Sequence, residues 1–103
     1  MSGYIVLTFR IHEEDGQYVA RCEELGISSC AKGIEKAFDR VEEATTLYLS
    51  TLDEVGERER VFAEAGIEIK TGEPGSDSVS VRTTPDREFV SLRSARLPEY
   101  SFA

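Results

Sequence analysis

Apolar and polar residues alternate near the start of the chain. Between positions 4 and 12, the apolar residues that recur at every second position are Ile5, Leu7, Phe9 and Ile11. This period of two predicts a β-strand with one apolar face. Asp15-Gly16 predicts a tight hairpin turn, and residues 17–22 and 27–31 predict two further strands. The first third of the chain is therefore expected to form a three-stranded antiparallel meander.

Between residues 34 and 52, apolar residues recur instead at three- and four-residue spacing. The stripe comprises Ile34, Ala37, Phe38, Val41, Ala44, Thr45, Tyr48 and Leu52. Such spacing predicts an amphipathic helix whose stripe faces the core. The opposite side carries the charged residues Asp39, Arg40, Glu42 and Glu43. Gly33, at the start of this helix, lacks the side chain of a good N-cap.

Glycines divide the next segment. Gly56 predicts a break before a short second helix at residues 57–65, and Gly66 predicts the end of that helix. Alternation at residues 67–69 predicts a short strand that joins the sheet. The predicted fold class is therefore α+β: a three-stranded antiparallel meander followed by an amphipathic helix, a short second helix and a further strand, in a domain over residues 1–70.

The composition changes after residue 70. Residues 71–77 contain Gly, Pro and Ser, which are typical of a linker, and all three prolines lie beyond residue 71. Residues 71–103 are predicted to be a linker and an extended C-terminal arm, with weak strand signals at 78–82 and 88–93. The apolar residues of the arm are Val79, Val81, Phe89, Val90, Leu92 and Leu97. Because such an arm cannot build its own core, these residues predict a homo-oligomer, most simply a dimer.

The order of these elements and several short motifs resemble the HicB-like antitoxin family. The motifs are Tyr18-Val19-Ala20, Glu24-Leu25-Gly26-Ile27, Ala37, Glu43-Ala44 and Leu47-Tyr48-Leu49. The likeness covers residues 4–69 and departs at residues 31–33, where Ala-Lys-Gly replaces the usual Gly-Asp-Thr. The resemblance implies a partial ribonuclease-H-like fold. It also implies a non-catalytic antitoxin that neutralises a small basic mRNA-cleaving toxin of the HicA type, in a type II toxin–antitoxin pair.

The net charge is −8 and the pI is about 4.6. An acidic surface disfavours direct nucleic-acid binding, since phosphates attract a positive surface. It suits a basic protein partner, and it equally serves solubility. The residues that we expect to attract such a partner are Glu13, Glu14, Asp15, Glu23, Glu24, Glu42 and Glu43.

No motif predicts a catalytic residue, a cofactor or a metal site. A ribonuclease H needs carboxylates that converge on divalent metals, one of them in the first strand, but residues 4–12 contain no Asp or Glu. His12 is the only histidine and is expected at a strand end on the surface, and a thiol dyad with Cys30 would require chance proximity. The alternatives are a stand-alone homo-oligomeric HicB-like protein with no toxin and a small metal-dependent nuclease.

The sequence shows no signal peptide and no apolar run of about 20 residues. We therefore expect a cytoplasmic protein, without membrane association, in which Cys22 and Cys30 are reduced thiols.

Overall fold

The computed structural model describes residues 3–72, 79–83, 88–97 and 101–102. The strands are β1 (Gly3–Glu14), β2 (Gln17–Cys22), β3 (Ile27–Ala31), β4 (Lys70–Thr71), β5 (Val79–Thr83), β6 (Glu88–Leu97) and β7 (Ser101–Phe102). The helices are α1 (Ile34–Val55) and α2 (Arg58–Ala65). The predicted α+β class is confirmed, with its antiparallel meander, amphipathic helix, short second helix and further strand.

Strand β1 lies at the centre of one antiparallel sheet with the strand order β3-β2-β1-β6-β5. Strand β2 pairs with the second half of β1, and β6 pairs with β1 from Gly3 to Ile11. Because β6 occupies one edge of β1 along this length, β4 pairs with Gly3 and Tyr4 on the edge that β1 shares with β2. The short strand β7 pairs with the end of β6.

The turn between β1 and β2 is the tight hairpin that Asp15-Gly16 predicts. Both residues have positive φ, 50° for Asp15 and 81° for Gly16. Two consecutive positive φ values are characteristic of a type I′ turn, whose twist matches that of the flanking strands. The turn thereby fixes the register, with Glu14 opposite Gln17 and Phe9 opposite Cys22.

The hydrophobic core lies between α1 and one face of the sheet. The β1 residues on this face are Ile5, Leu7, Phe9 and Ile11, each at most 2% exposed. Helix α1 buries Ala37, Val41, Thr45, Leu49 and Leu52 against it. Leu49 is a core residue that the predicted stripe omits, whereas four members of the stripe, Ile34, Phe38, Ala44 and Tyr48, are only half-buried.

Glycines end both helices, as the sequence predicts. Helix α1 continues past the predicted residue 52 to Val55, where Gly56 adopts a left-handed conformation with a φ of 71°. Gly66 ends α2 with the same φ, and the Ile67 N–H donates a hydrogen bond to the carbonyl of Phe62. These bonds satisfy carbonyls that a helix end would otherwise leave unpaired.

The strand predicted at residues 67–69 is wrong in position. Ile67 packs against the core directly after α2, and Ile69 is 43% exposed. Only at Lys70 does the chain reach β1, where Lys70 pairs with Tyr4. The alternation of the two isoleucines therefore reflects a loop that buries one side chain, rather than a strand.

The segment predicted as an extended arm supplies strands to the sheet of its own chain. Strand β6 lies beside β1, and Ala95 is fully buried in the core. Phe89 packs against the same core. The expectation of an extended arm is therefore wrong for β6, because this strand pairs along β1 and shares the core of the domain. The predicted boundary at residues 70/71 falls inside β4.

Within the described residues, neither helix is both long enough and apolar enough to cross a membrane.

Candidate partner-binding site

Three of the seven acidic residues predicted to attract a partner lie at the hairpin tip between β1 and β2. Glu13, Glu14 and Asp15 are exposed, as expected for a turn of polar residues. The only local partner found for them is His12, whose Nε2 lies 3.3 Å from Oε2 of Glu14 in the described structure. The tip therefore presents negative charge directly to solvent.

Glu23 and Glu24 lie at the far end of β2 and have structural partners. Glu23 Oε1 is 2.8 Å from Nε of Arg10, in a half-exposed ion pair. Glu24 accepts two hydrogen bonds from Thr8, one from its backbone N–H at 2.8 Å and one from its hydroxyl at 2.9 Å. The Glu23 N–H also donates a hydrogen bond to the Thr8 carbonyl. Thr8 is therefore bonded through its backbone on the β2 side although β2 ends at Cys22, and the Glu24 carboxylate accepts the Thr8 N–H in place of a strand carbonyl. Its role is at least partly structural.

Glu42 is turned towards β6 rather than towards solvent. Its side chain is 21% exposed, and Nη1 of Arg93 lies 3.2 Å from its Oε1. The contact is an ion pair without hydrogen-bond geometry, since this buried oxygen has no hydrogen-bond partner. Burial raises the pKa of the Glu42 carboxyl, and the positive charge of Arg93 only partly opposes that rise. Glu42 therefore lies at the β6 border of the charged side of the helix, where it is mostly buried in an ion pair rather than free in solvent.

Arg93 is held by a second contact. Its guanidinium carbon lies 4.3 Å from the centroid of the Phe38 ring, in a cation–π arrangement. Phe38 in turn packs against Phe9 with a centroid separation of 5.4 Å. The row from Phe9 through Phe38 and Arg93 to Glu42 thus ties α1 to β6.

Glu43 remains on the exposed side of α1, where it borders an unexpected apolar residue. Leu47 is 70% exposed, the largest exposure among the large hydrophobic residues described. A shallow depression is lined by Asp39, Glu42, Glu43, Thr46, Leu47 and Ser50. We call this surface the outer face of α1. The outer face of α1 thus places one exposed leucine beside acidic side chains.

The seven acidic residues do not form one cluster. The hairpin tip and the pair Glu23 and Glu24 lie at opposite ends of β2, which at about 3.4 Å per residue places them roughly 20 Å apart. Glu43 lies on the helix layer above the sheet. Of the seven, Glu13, Asp15 and Glu43 are exposed and take part in none of the ion pairs described above. Sequence reasoning missed Leu47 as a surface residue, although its spacing from the buried Val41 and Thr45 places it off the core stripe.

The sheet face opposite α1 carries several of the residues assigned to the predicted oligomer arm. Val90 is half-buried and Leu92 is 40% exposed. In the sheet, Val79 pairs with Leu92 and Val81 pairs with Val90, whereas Leu97 pairs with Gly3. Phe89 differs, because its register with Ile11 places it on the helix side. The arm residues are thus divided between the two faces.

The chemically reactive side chains of His12 and Cys30 are kept apart by an intervening strand. His12 pairs with Val19, and Val19 pairs with Cys30, so His12 and Cys30 are two strands apart, roughly 10 Å. Cys22 lies on the core face, where burial raises the pKa of its thiol to about 11. Both cysteines are free thiols. Among the described residues, no three His, Cys, Asp or Glu side chains are grouped to hold a metal ion.

No family model, curated protein or solved structure matches this chain.

Proposed function

We propose that this protein is a non-catalytic, antitoxin-like binding protein that neutralises a small basic mRNA-cleaving toxin of the HicA type. The observation that supports this most directly is the outer face of α1, where Leu47 is 70% exposed beside Glu43. A basic partner would be steered by the acidic side chains and held by the apolar contact. The motifs at residues 18–27 and 37–49 suggest the toxin class through their resemblance to HicB-like antitoxins.

Three further features belong to the same proposal. The protein acts without catalysis of its own, it binds no nucleic acid directly, and it works in the cytoplasm. The net charge of −8 supports the absence of direct nucleic-acid binding. The separation of His12 from Cys30 by one intervening strand supports a binding role rather than nucleophilic chemistry.

The test is association with the product of a neighbouring gene that encodes a short basic RNA-cleaving protein. We expect the variant Glu13→Lys/Glu43→Lys to associate on the order of tenfold more slowly at low ionic strength, with a weaker salt dependence, because steering accelerates encounter by about 10–10³-fold. The matched control is Glu59→Lys/Glu68→Lys, which changes the net charge equally at exposed positions that belong neither to the hairpin tip nor to the lining of the outer face of α1. Stopped-flow kinetics measure the association rate of each double variant and its salt dependence.

Coexpression supplies the functional half of this test. The wild-type chain should relieve the growth arrest caused by the basic protein and block its RNA cleavage in vitro. Equal association rates for the two double variants, or cleavage that continues at saturating concentrations of this chain, would contradict the proposal. The absence of any such neighbouring gene would contradict it as well.

The second candidate function is a stand-alone homo-oligomer without a toxin. The observation that favours it is the apolar strip opposite α1, where Val6 and Val90 are half-buried and Leu92 is 40% exposed. Two such faces would cover each other in a twofold dimer. We expect sedimentation of the wild-type chain at micromolar concentration to show a dimer and Leu92→Lys to shift it towards monomer. A wild-type monomer would exclude this candidate.

A further inference from the structure

The described sheet is wider than the helix layer that covers it. Helix α1 packs on β3, β2 and β1, and Arg40 fixes one of its flanks by donating a hydrogen bond to the Cys30 carbonyl at 2.9 Å. Strands lie about 4.8 Å apart and a helix is about 10 Å across. Five strands therefore leave a strip of roughly 10 Å, over β6 and β5, beside α1.

A groove runs where this strip meets α1. It encloses about 320 Å³ and is floored by Ile11, Phe38 and Phe89. That volume lies at the lower end of the range for ligand pockets, and we estimate that it admits one or two large apolar side chains. Ser91 and Arg93 form its sheet wall, and Ile34, Glu35 and Asp39 form its helix wall.

The charges around this groove are unequal. Glu35 and Asp39 are exposed and lie one helical turn apart on the helix wall. Arg93, on the opposite wall, is paired with Glu42 and lies over Phe38, so these two charges largely cancel. The rim is therefore acidic over an apolar floor. A second copy of α1 is a poor occupant, because its own outer face carries Asp39 and Glu43.

We infer that the groove between α1 and β6 is a docking site for a basic amphipathic helix of a partner protein. The apolar side chains of that helix enter the groove beside Phe38 and Phe89, and its Lys or Arg side chains meet Glu35 and Asp39. Such a helix covers the strip of sheet beside α1, in the helix-in-groove mode of recognition. The inference rests on the proposed function for the basic nature of the partner and adds the element that the partner inserts.

The probe is a synthetic peptide of about 18 residues in which Leu and Lys follow helical spacing, with one Trp on the apolar face. Because the chain contains no Trp, the Trp emission comes from the peptide alone when Trp is excited selectively, and its wavelength reports burial of the peptide. We expect a blue shift on binding to the wild-type chain. Binding to Glu35→Lys/Asp39→Lys should be on the order of tenfold weaker at low salt, whereas Glu59→Lys/Glu68→Lys should stay near the wild type.

Chemical-shift mapping on the wild-type chain tests the position without any substitution. The amide signals that move should fall in residues 34–39 and 89–93. No blue shift at about 1 mM peptide, equal affinity for the two double variants, or shifts confined to β5 or to the hairpin tip would overturn the groove site. Shifts confined to β5 would indicate strand addition instead.

The outcomes separate this inference from the proposed function. If Glu35→Lys/Asp39→Lys still neutralises the toxin as well as the wild type and the peptide does not bind, the groove inference alone fails. If the peptide binds in the groove but the chain relieves no toxin, the proposed function alone fails.

Discussion

A chain that ends at Thr71 is expected to be unfolded. Removing residues 72–103 deletes β6, which pairs with nine consecutive residues of β1, and it opens one side of the buried Ile5, Leu7 and Phe9. A remainder of about 70 residues buries too small a fraction of its surface to absorb that loss. Circular dichroism with urea titration should show no cooperative transition.

The matched control ends at Leu97. It removes only the residues after β6, including the short strand β7, and should keep a cooperative transition close to that of the full chain. A chain ending at Thr71 that unfolds cooperatively would contradict the integral role of β6. It would instead support a separable arm over residues 71–103, whose deletion affects only self-association.

The local elements of this fold could be predicted from sequence because each is set by neighbouring residues. Strand β1 shows a period of two, and each face has a consistent environment from Ile5 to Ile11. Gly56 and Gly66 mark the helix ends because their left-handed conformation suits a residue without a side chain. The turn at Asp15-Gly16 fixes the register of the first hairpin because both residues adopt the positive φ of a type I′ turn, for which Asp-Gly is a preferred pair.

The position of β6 could not be predicted in this way. Pairing Ile5 with Ala95 joins residues far apart in the sequence, and no local pattern specifies which strand edge such a segment joins. Residues 88–93 show only a weak alternation, since Ser91 and Arg93 occupy the helix side of the sheet. The pairing of β6 with β1 also brings Arg93 to Glu42, so the ion pair between these two residues could not be predicted from sequence either.

For Leu47 and Leu49, the apolar spacing of the helix did not assign burial correctly to both residues. Both are leucines within one helical turn, yet Leu49 is fully buried and Leu47 is 70% exposed. A stripe traced through Thr45, Tyr48 and Leu52 passes over Leu49, although Leu49 follows Thr45 by four residues. The spacing of Leu47 places it off the core stripe, but its 70% exposure is established only when the helix is placed on the sheet.

Replacement of Phe9 by Ala is expected to lower the free energy of unfolding by about 3–5 kcal/mol. Phe9 is fully buried and packs against Phe38, so its removal leaves a cavity under α1 where the helix is tied to β6. Because small domains have only about 5–15 kcal/mol of stability in total, urea denaturation should detect a large fall in the midpoint.

Val6→Ala is the matched control for Phe9→Ala. Val6 lies on the same strand but on the opposite face, where it is half-buried, so its truncation should cost less than about 1 kcal/mol. The contrast tests whether the face of β1 beneath α1 is the core of the domain. Phe9→Ala should also loosen the groove between α1 and β6. In this variant Phe38 loses its ring contact with Phe9 and should hold Arg93 less firmly. A loss below about 1 kcal/mol for Phe9→Ala would place the core elsewhere.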